Sequence, residues 1–312
     1  MIRRMKVDNK VIKKGKGLNQ IKSGTNIVFN IIFIILSLMC IVPVIFVFII
    51  SISSEASLAK FGSSFFPAEL SDAAYIYLWK ERMMILKALW ISVLVTIGGT
   101  ILGLGLTTSM GYVLSRKSYK LQSFYTWVIF IPMIFNGGLA ASYVVNDKLL
   151  NLSDTLLALI LPLAVSSFNI IICKTFFRTT IPDSVIESAK IDGATQLGIF
   201  NKIVLPISKP VIATIGLFLS FGYWNDWFLS SLYIRNKDLI SLQALLNSMV
   251  KNIQFLASNP DGGVSIQQYL ATMPRESVRM AIAIVIVVPI ACAYPFFQRY
   301  FVTGLTIGAV KG

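Results

Sequence analysis

Six long apolar stretches, separated by shorter polar ones, organise this chain. They run from about Ile27 to Ile52, Leu86 to Leu114, Leu121 to Tyr143, Thr155 to Phe177, Val211 to Tyr233 and Val278 to Phe301. A bilayer core about 30 Å thick takes roughly 20 apolar residues as helix, so each stretch predicts a membrane-spanning helix. The first is too long, and too poor in small residues at its end, for a cleaved signal peptide. The second exceeds what a bilayer needs and predicts a tilted helix or one extending past the membrane. Within it Gly99 and Gly103 form a GxxxG, with Gly98, Gly105 and Gly111 continuing the theme, a spacing that ordinary close helix packing explains. The third is interrupted by Pro132 and by Asn136-Gly137-Gly138. The expected fold class is an all-α membrane protein of six transmembrane helices.

Composition agrees. Only 13% of the 312 residues are charged and 55% are hydrophobic, against roughly a quarter charged in soluble domains. Mean hydropathy is +0.74. A net charge of +14 would fit nucleic-acid binding. Its distribution does not. Arg3, Arg4, Lys6, Lys10, Lys13, Lys14, Lys16 and Lys22 crowd the first residues with no aromatics between them, whereas single-strand binding interleaves the two. A basic segment just before an apolar span is a cytoplasmic retention signal. Arg116, Lys117 and Lys120 follow span two, and Lys174, Arg178, Lys190, Lys202 and Lys209 flank the connection of spans four and five. Those connections and both termini are therefore expected in the cytoplasm of a multi-pass cell-membrane protein. The expected division is a basic tail 1–25, a six-helix domain 26–302 and a C-terminal tail 303–312, with 53–85, 144–154 and 234–277 facing outward. Histidine is absent and Cys40, Cys173 and Cys292 lie far apart in apolar runs. That removes His-based acid–base and metal chemistry and any cysteine metal spacing.

A polar segment, 182–206, stands between spans four and five. Ser184 with Glu187 three residues later predicts a capping box. Gly193 predicts a left-handed helix end. A second short helix is expected to carry Leu197, Phe200 and Ile203 or Val204 on one face, with Pro206 ending it and Pro210 marking entry to span five. The segment thus reads as helix, glycine turn, helix, held against the inner ends of the bundle. Taken singly, Glu187 needs only to cap a helix and Gly193 only to make a turn. Together with Ala189, Ile203, Leu205 and Pro206 they fit E-A-A, three residues, G, nine residues, I-x-L-P, with Ser188 in place of the middle alanine.

This pattern resembles the EAA loop of binding-protein-dependent ABC importer permeases. The resemblance implies that the first short helix is a coupling helix docking on an ATPase subunit, with Glu187, Ser188, Ala189, Asp192, Gly193, Leu205 and Pro206 as coupling positions. The run from Tyr294-Pro295-Phe296-Phe297 to Lys311-Gly312 is similar to the ending of the maltose-permease-like, carbohydrate-uptake subfamily. In that reading Gly308, Lys311 and Gly312 belong to a tail that contacts the ATPase pair. Phe135-Asn136-Gly137-Gly138-Leu139 and Met273-Pro274-Arg275-Glu276-Ser277-Val278-Arg279-Met280-Ala281 resemble more narrowly permeases for oligosaccharides cut from complex polysaccharides.

The nearest approach to a phosphate loop, Gly17 to Ser23, lacks a glycine before its lysine and follows no strand. ATP and Mg are therefore expected in separate ATPase subunits, with no cofactor and no enzyme activity in this chain. The resemblance further implies a second, similar permease subunit, an extracytoplasmic solute-binding protein, membrane lipids around the bundle, and alternating access. Asn259-Pro260-Asp261-Gly262-Gly263 is turn chemistry in the long outer segment 234–277. By the same resemblance this segment would contact the binding protein.

Sugars are held by aromatic faces and planar polar groups. Tyr223-Trp224-Asn225-Asp226-Trp227 supplies both inside span five. At about 1.5 Å per residue, Asp226 lies roughly 22 Å beyond Val211, toward the outer side. Trp224, Asn225 and Asp226, with Asn136, are the candidate lining of a sugar path, while Trp227 fits an interfacial aromatic belt. Competing readings stay open. An ABC permease for a non-sugar solute would share the hairpin. A membrane-embedded glycosyltransferase-type enzyme would want clustered acidic residues at a membrane face. An ion-coupled transporter acting alone would favour internal repeats and buried ionisable groups.

Overall fold

The computed structural model describes residues 23–258 and 274–309, and among these the chain is almost wholly helical, without strands beyond one isolated bridge between Ser53 and Leu70. In chain order come α1 (Ser23–Ser51), α2 (Glu55–Phe61), α3 (Ala73–Lys80), α4 (Arg82–Ser115), α5 (Gln122–Ile134) and α6 (Gly138–Tyr143), the last running into a π-helical turn, Val144–Leu149. There follow α7 (Leu156–Ala164), α8 (Ser167–Thr180), α9 (Asp183–Ile191) and α10 (Gln196–Ile199). A π turn, Phe200–Val204, leads into α11 (Leu205–Ile207), and then come α12 (Lys209–Asn225), α13 (Phe228–Tyr233), α14 (Leu242–Ser258) and α15 (Arg275–Ala309).

Two helices, Gly24–Ser51 and Arg82–Ser115, are long and apolar enough to cross a membrane unbroken. The other apolar stretches are interrupted. The third stops at Ile134 and restarts at Gly138, whose φ of 83° suits glycine alone. The fourth was expected to be continuous; it breaks at extended Val165 and Ser166, and α7 and α8 meet at 48°. The fifth breaks at Asp226, whose backbone is extended between α12 and α13. Periodicity alone does not register such breaks, because both halves are apolar. In the C-terminal segment α15 continues as helix through Ala309, so Gly308 lies within it, while Lys311 and Gly312 lie outside the described residues.

Helix α4 is the central post. It packs chiefly on α12 and α8, and also on α7 and α14. The small residues of its GxxxG run make that approach possible. A Cβ at Gly99 would lie 2.3 Å from the Tyr223 ring, one at Gly103 2.8 Å from the Ala164 carbonyl oxygen, and one at Gly111 2.6 Å from Cys173 Cβ. In lipid, where apolar surface gains nothing by leaving the solvent, such close backbone packing is a main source of helix association. By contrast, α1 keeps nearly every side chain from Ile27 to Ile45 exposed while lying beside α15.

Candidate functional site

The α9–α11 hairpin closes one end of the bundle. Helix α9 begins at Asp183 behind Pro182, and no side chain caps it. The expected Ser184–Glu187 capping box is therefore not formed: the helix starts one residue before Ser184, and Glu187 stays exposed. Its other end matches expectation. Gly193 has φ 79°, the Ala194 N–H donates to the Ala189 carbonyl at 2.9 Å and the Gly193 N–H donates to the Lys190 carbonyl at 3.0 Å. These are the two bonds of a Schellman ending, which satisfies carbonyls the helix leaves free. Thr195 then caps α10 by accepting the Gly198 N–H at 3.1 Å. After α11 the chain turns by 84° at Ser208 into α12.

One face of the hairpin is buried and the other is bare. Ile186, Ala189, Ile199 and Val204 point into the main core with Tyr112, Phe177 and Ile181. Glu187, Ser188, Asp192 and Gly193 are exposed, Leu205 is half-buried and Pro206 is exposed. Ile191 is 86% exposed and Leu197 72% exposed, so Leu197 does not share the buried face expected for it. The π turn accounts for that: an extra residue per turn rotates Ile199 and Val204 inward.

A residue outside the hairpin holds it in place. Arg116, 9% exposed, ends α4. Its guanidinium donates to the Phe177 carbonyl at 3.2 Å and to Ser115 Oγ at 3.0 Å, lies 5.3 Å from the Tyr112 ring centre, and reaches Asp183 at 3.4 Å. The Phe177 carbonyl lies in the last turn of α8, where it also accepts the Ile181 N–H at 3.2 Å. One fork thus joins α4, α8 and the first residue of α9. Tyr112 carries the contact further, 5.2 Å from the Phe200 ring and 6.4 Å from the Phe177 ring. In the sequence Arg116 stands out only as a loop charge; nothing in its spacing marks its partners on α8 and α9.

The opposite end collects the other candidates, but not in one place. Trp224 is 9% exposed and lines an apolar cavity of about 540 Å³ with Thr96, Thr100, Ser220 and Pro289. Asn225 is exposed and donates to the Phe221 carbonyl at 2.9 Å. Asp226 accepts the Leu229 N–H at 3.2 Å, tying its carboxylate to the start of α13. Asn136 is exposed and accepts the Gly138 N–H at 2.9 Å, a turn bond. Residues 259–263 lie outside the described residues. Nearby, backbone N–H groups of Asn236 and Arg235 donate to Asp154, and they hold its carboxyl below the usual carboxylate range.

Segment 234–277, expected as a connection, contains α14 in its described part. Leu242, Leu245, Leu246, Met249 and Ile253 pack against Ala88, Trp224, Val278 and Ile282. Hydroxyls set its position: Ser92 accepts the Leu242 N–H at 2.8 Å and Ser230 accepts the Ser241 N–H at 3.0 Å. Among the described residues no group of three or more His, Cys, Asp or Glu could hold a metal ion.

The fold is that of an ABC transporter permease. A solved bacterial ABC transporter, described as involved in the import of the acidic polysaccharide alginate, contains a chain that superposes with a TM-score of 0.75 at 27% identity, over 89% of this chain and 96% of that one. Two Bacillus subtilis (strain 168) proteins are each 37% identical: LplC over 87% of this chain and 90% of its own length, and the polygalacturonan/rhamnogalacturonan transport system permease protein YtcP over 88% and 94%. The arabinooligosaccharides transport system permease protein AraQ of the same organism is 25% identical over 92% of this chain and 96% of its own. No family model matches the chain. The chain belongs to the permease subunits of carbohydrate ABC transporters, integral membrane proteins that are not themselves the ATPase.

Proposed function

We propose that this chain is one permease half of an ATP-driven oligosaccharide importer that works by alternating access. One observation carries the reading: a hairpin clamped to α4 and α8 by Arg116, with Glu187, Ser188, Asp192 and Ile191 left bare on its far side. A lever needs both properties, a rigid attachment and an unoccupied face. In this reading the bare face docks on an ATPase subunit that binds ATP and Mg, and α9 is the coupling helix. Closure of the ATPase pair draws two such helices together and opens the path outward. A second permease completes the path, and a solute-binding protein delivers the sugar at the end bearing α14. The chain crosses the membrane six times with both termini in the cytoplasm, and its bare α1 faces lipid or the partner permease. Relatives named for polygalacturonan, arabinooligosaccharide and alginate transport favour polysaccharide fragments over a non-sugar solute. No observation favours a glycosyltransferase.

The test is purification from native membranes followed by reconstitution. An ATPase subunit is expected to accompany the chain, and ATP with the binding protein is expected to drive oligosaccharide uptake into proteoliposomes. Assembly without an ATPase, or ATP-driven uptake of no sugar, overturns the reading.

A further inference from the structure

Helix α14 has two faces. Leu242, Leu245, Leu246, Met249 and Ile253 fill the core. Gln243 and Asn247 lie on a neighbouring stripe, and with Trp227, Arg279 and the core residues Leu246 and Ile282 they line a cavity of about 340 Å³ between α14 and α15. Small-molecule sites occupy about 300–1,000 Å³. Gln243 is 9% exposed, yet its Nε2 has no hydrogen-bond partner among the described residues. A buried amide left unpaired costs about 1–3 kcal/mol and calls for an explanation. Of the six buried side-chain groups left unpaired among the described residues, Gln243 is the one that lines this cavity.

Arg279 also lines a second cavity, of about 400 Å³, with Glu55, Gln254, Arg275 and Glu276. Its acidic groups are already engaged. Glu55 accepts from the Glu276 N–H, the Ser277 N–H and the Ser277 hydroxyl, which caps the start of α15. Glu276 accepts from Arg279 through both carboxylate oxygens, at 3.1 and 3.0 Å. Arg275 has no anionic partner among the described residues. The two cavities meet at Arg279, which lines both, so together they suit a chain of sugars better than a single ring.

We propose that the α14–α15 groove binds an acidic oligosaccharide during import, with one sugar residue against Trp227, Gln243 and Asn247 and the carboxylate of the next at Arg275. The proposal rests on the oligosaccharide-importer reading and names its substrate class. Planar amides donate to and accept from ring hydroxyls. The Trp227 ring supplies the apolar surface, and Lys251 stands 5.1 Å from its centre. Arg279, held by Glu276, is a fixed donor between the two subsites.

Gln243→Leu separates binding from structure. The substitution is close in size and removes the unpaired amide, so a purely structural role predicts a melting temperature unchanged or raised and uptake unchanged. The groove predicts the same melting behaviour with uptake efficiency (kcat/KM) lowered about five- to tenfold, the worth of one lost hydrogen bond or slightly more. Uptake by the complete reconstituted importer is read with galacturonan fragments of two to four residues and with neutral arabino-oligosaccharides. Trp227→Ala is expected to lower efficiency similarly and Trp227→Phe to restore most of it. Arg275→Gln is expected to lower uptake of the galacturonan fragments only. Unchanged efficiency in Gln243→Leu overturns the groove. Unchanged galacturonan uptake in Arg275→Gln, or no such uptake by the unaltered protein, overturns the carboxylate subsite. Uptake of neither sugar by the unaltered protein overturns the importer reading and the groove with it.

Discussion

The two ends of the bundle differ in how one central polar side chain is engaged. At the hairpin end, Arg116 finds partners on three helices, the Schellman bonds close α9, and aromatic rings fill the space behind. At the α14 end, cavities remain open between helices and the Gln243 amide waits unpaired. A satisfied set of bonds around one side chain rigidifies it, although the hairpin end is not saturated throughout: the Tyr112 and Ser208 hydroxyls also lack hydrogen-bond partners among the described residues. The contrast sets a clamped hairpin against a groove with open cavities, and the proposed force-transmitting and solute-handling roles rest on it.

The sharpest way to break the comparison is at Arg116. Arg116→Ala removes one of the two donors to the buried Phe177 carbonyl, which keeps the Ile181 N–H, and removes packed stem atoms. It is expected to cost about 2–3 kcal/mol, concentrated in α9. Hydrogen exchange should rise across Asp183–Ile191 and stay unchanged in α14. Equal exchange at both ends would show that Arg116 is not a local clamp. Next comes Gly111→Val, whose Cβ would press on Cys173. Overpacking of this kind costs about 1–3 kcal/mol, read as a lower melting temperature of the purified chain. Gly193→Ala is milder. Nothing lies within 4 Å of a Cβ there, but φ is 79°, so the left-handed backbone alone costs about 1–2 kcal/mol. The loss should appear as faster exchange in α9 with ATPase assembly retained.

The smallest effect concerns pH. The Asp154 carboxyl is held below its ordinary value by the Asn236 and Arg235 N–H groups. Its contribution is therefore complete above the ordinary carboxylate range, near 3.9, and is lost as pH falls through the lower folded value. Acid should loosen residues 235–236 relative to α7, and Asp154→Asn should flatten that dependence. An identical acid profile in the variant would remove Asp154 from the account.

These features were unevenly legible in the sequence. Gly193 could be read because a turn glycine acts locally, through φ, whereas Pro206 does not end the second helix as expected: it lies inside α11, and the chain turns only at Ser208. The capping box failed because Pro182 fixes the helix start one residue earlier than Ser184 implies. Leu197 was misplaced because the π turn at Phe200–Val204 shifts the helical phase, and a fixed period cannot anticipate it. Arg116 and Gln243 were missed for a common reason. Each acquires its meaning from residues that are distant in sequence: Phe177 and Asp183 for one, the face of α15 for the other. The amphipathic spacing of Leu242, Leu245, Leu246, Met249 and Ile253 was visible, and reading 234–277 as a connection passed over it.

The most direct test is site-specific cross-linking to the ATPase subunit in the assembled importer, with Cys40, Cys173 and Cys292 replaced by alanine. Ser188→Cys, on the bare face of α9, is predicted to cross-link to the ATPase, and Asn247→Cys, on α14, is predicted not to. Cross-linking from Asn247→Cys and none from Ser188→Cys would contradict the assignment of the two ends.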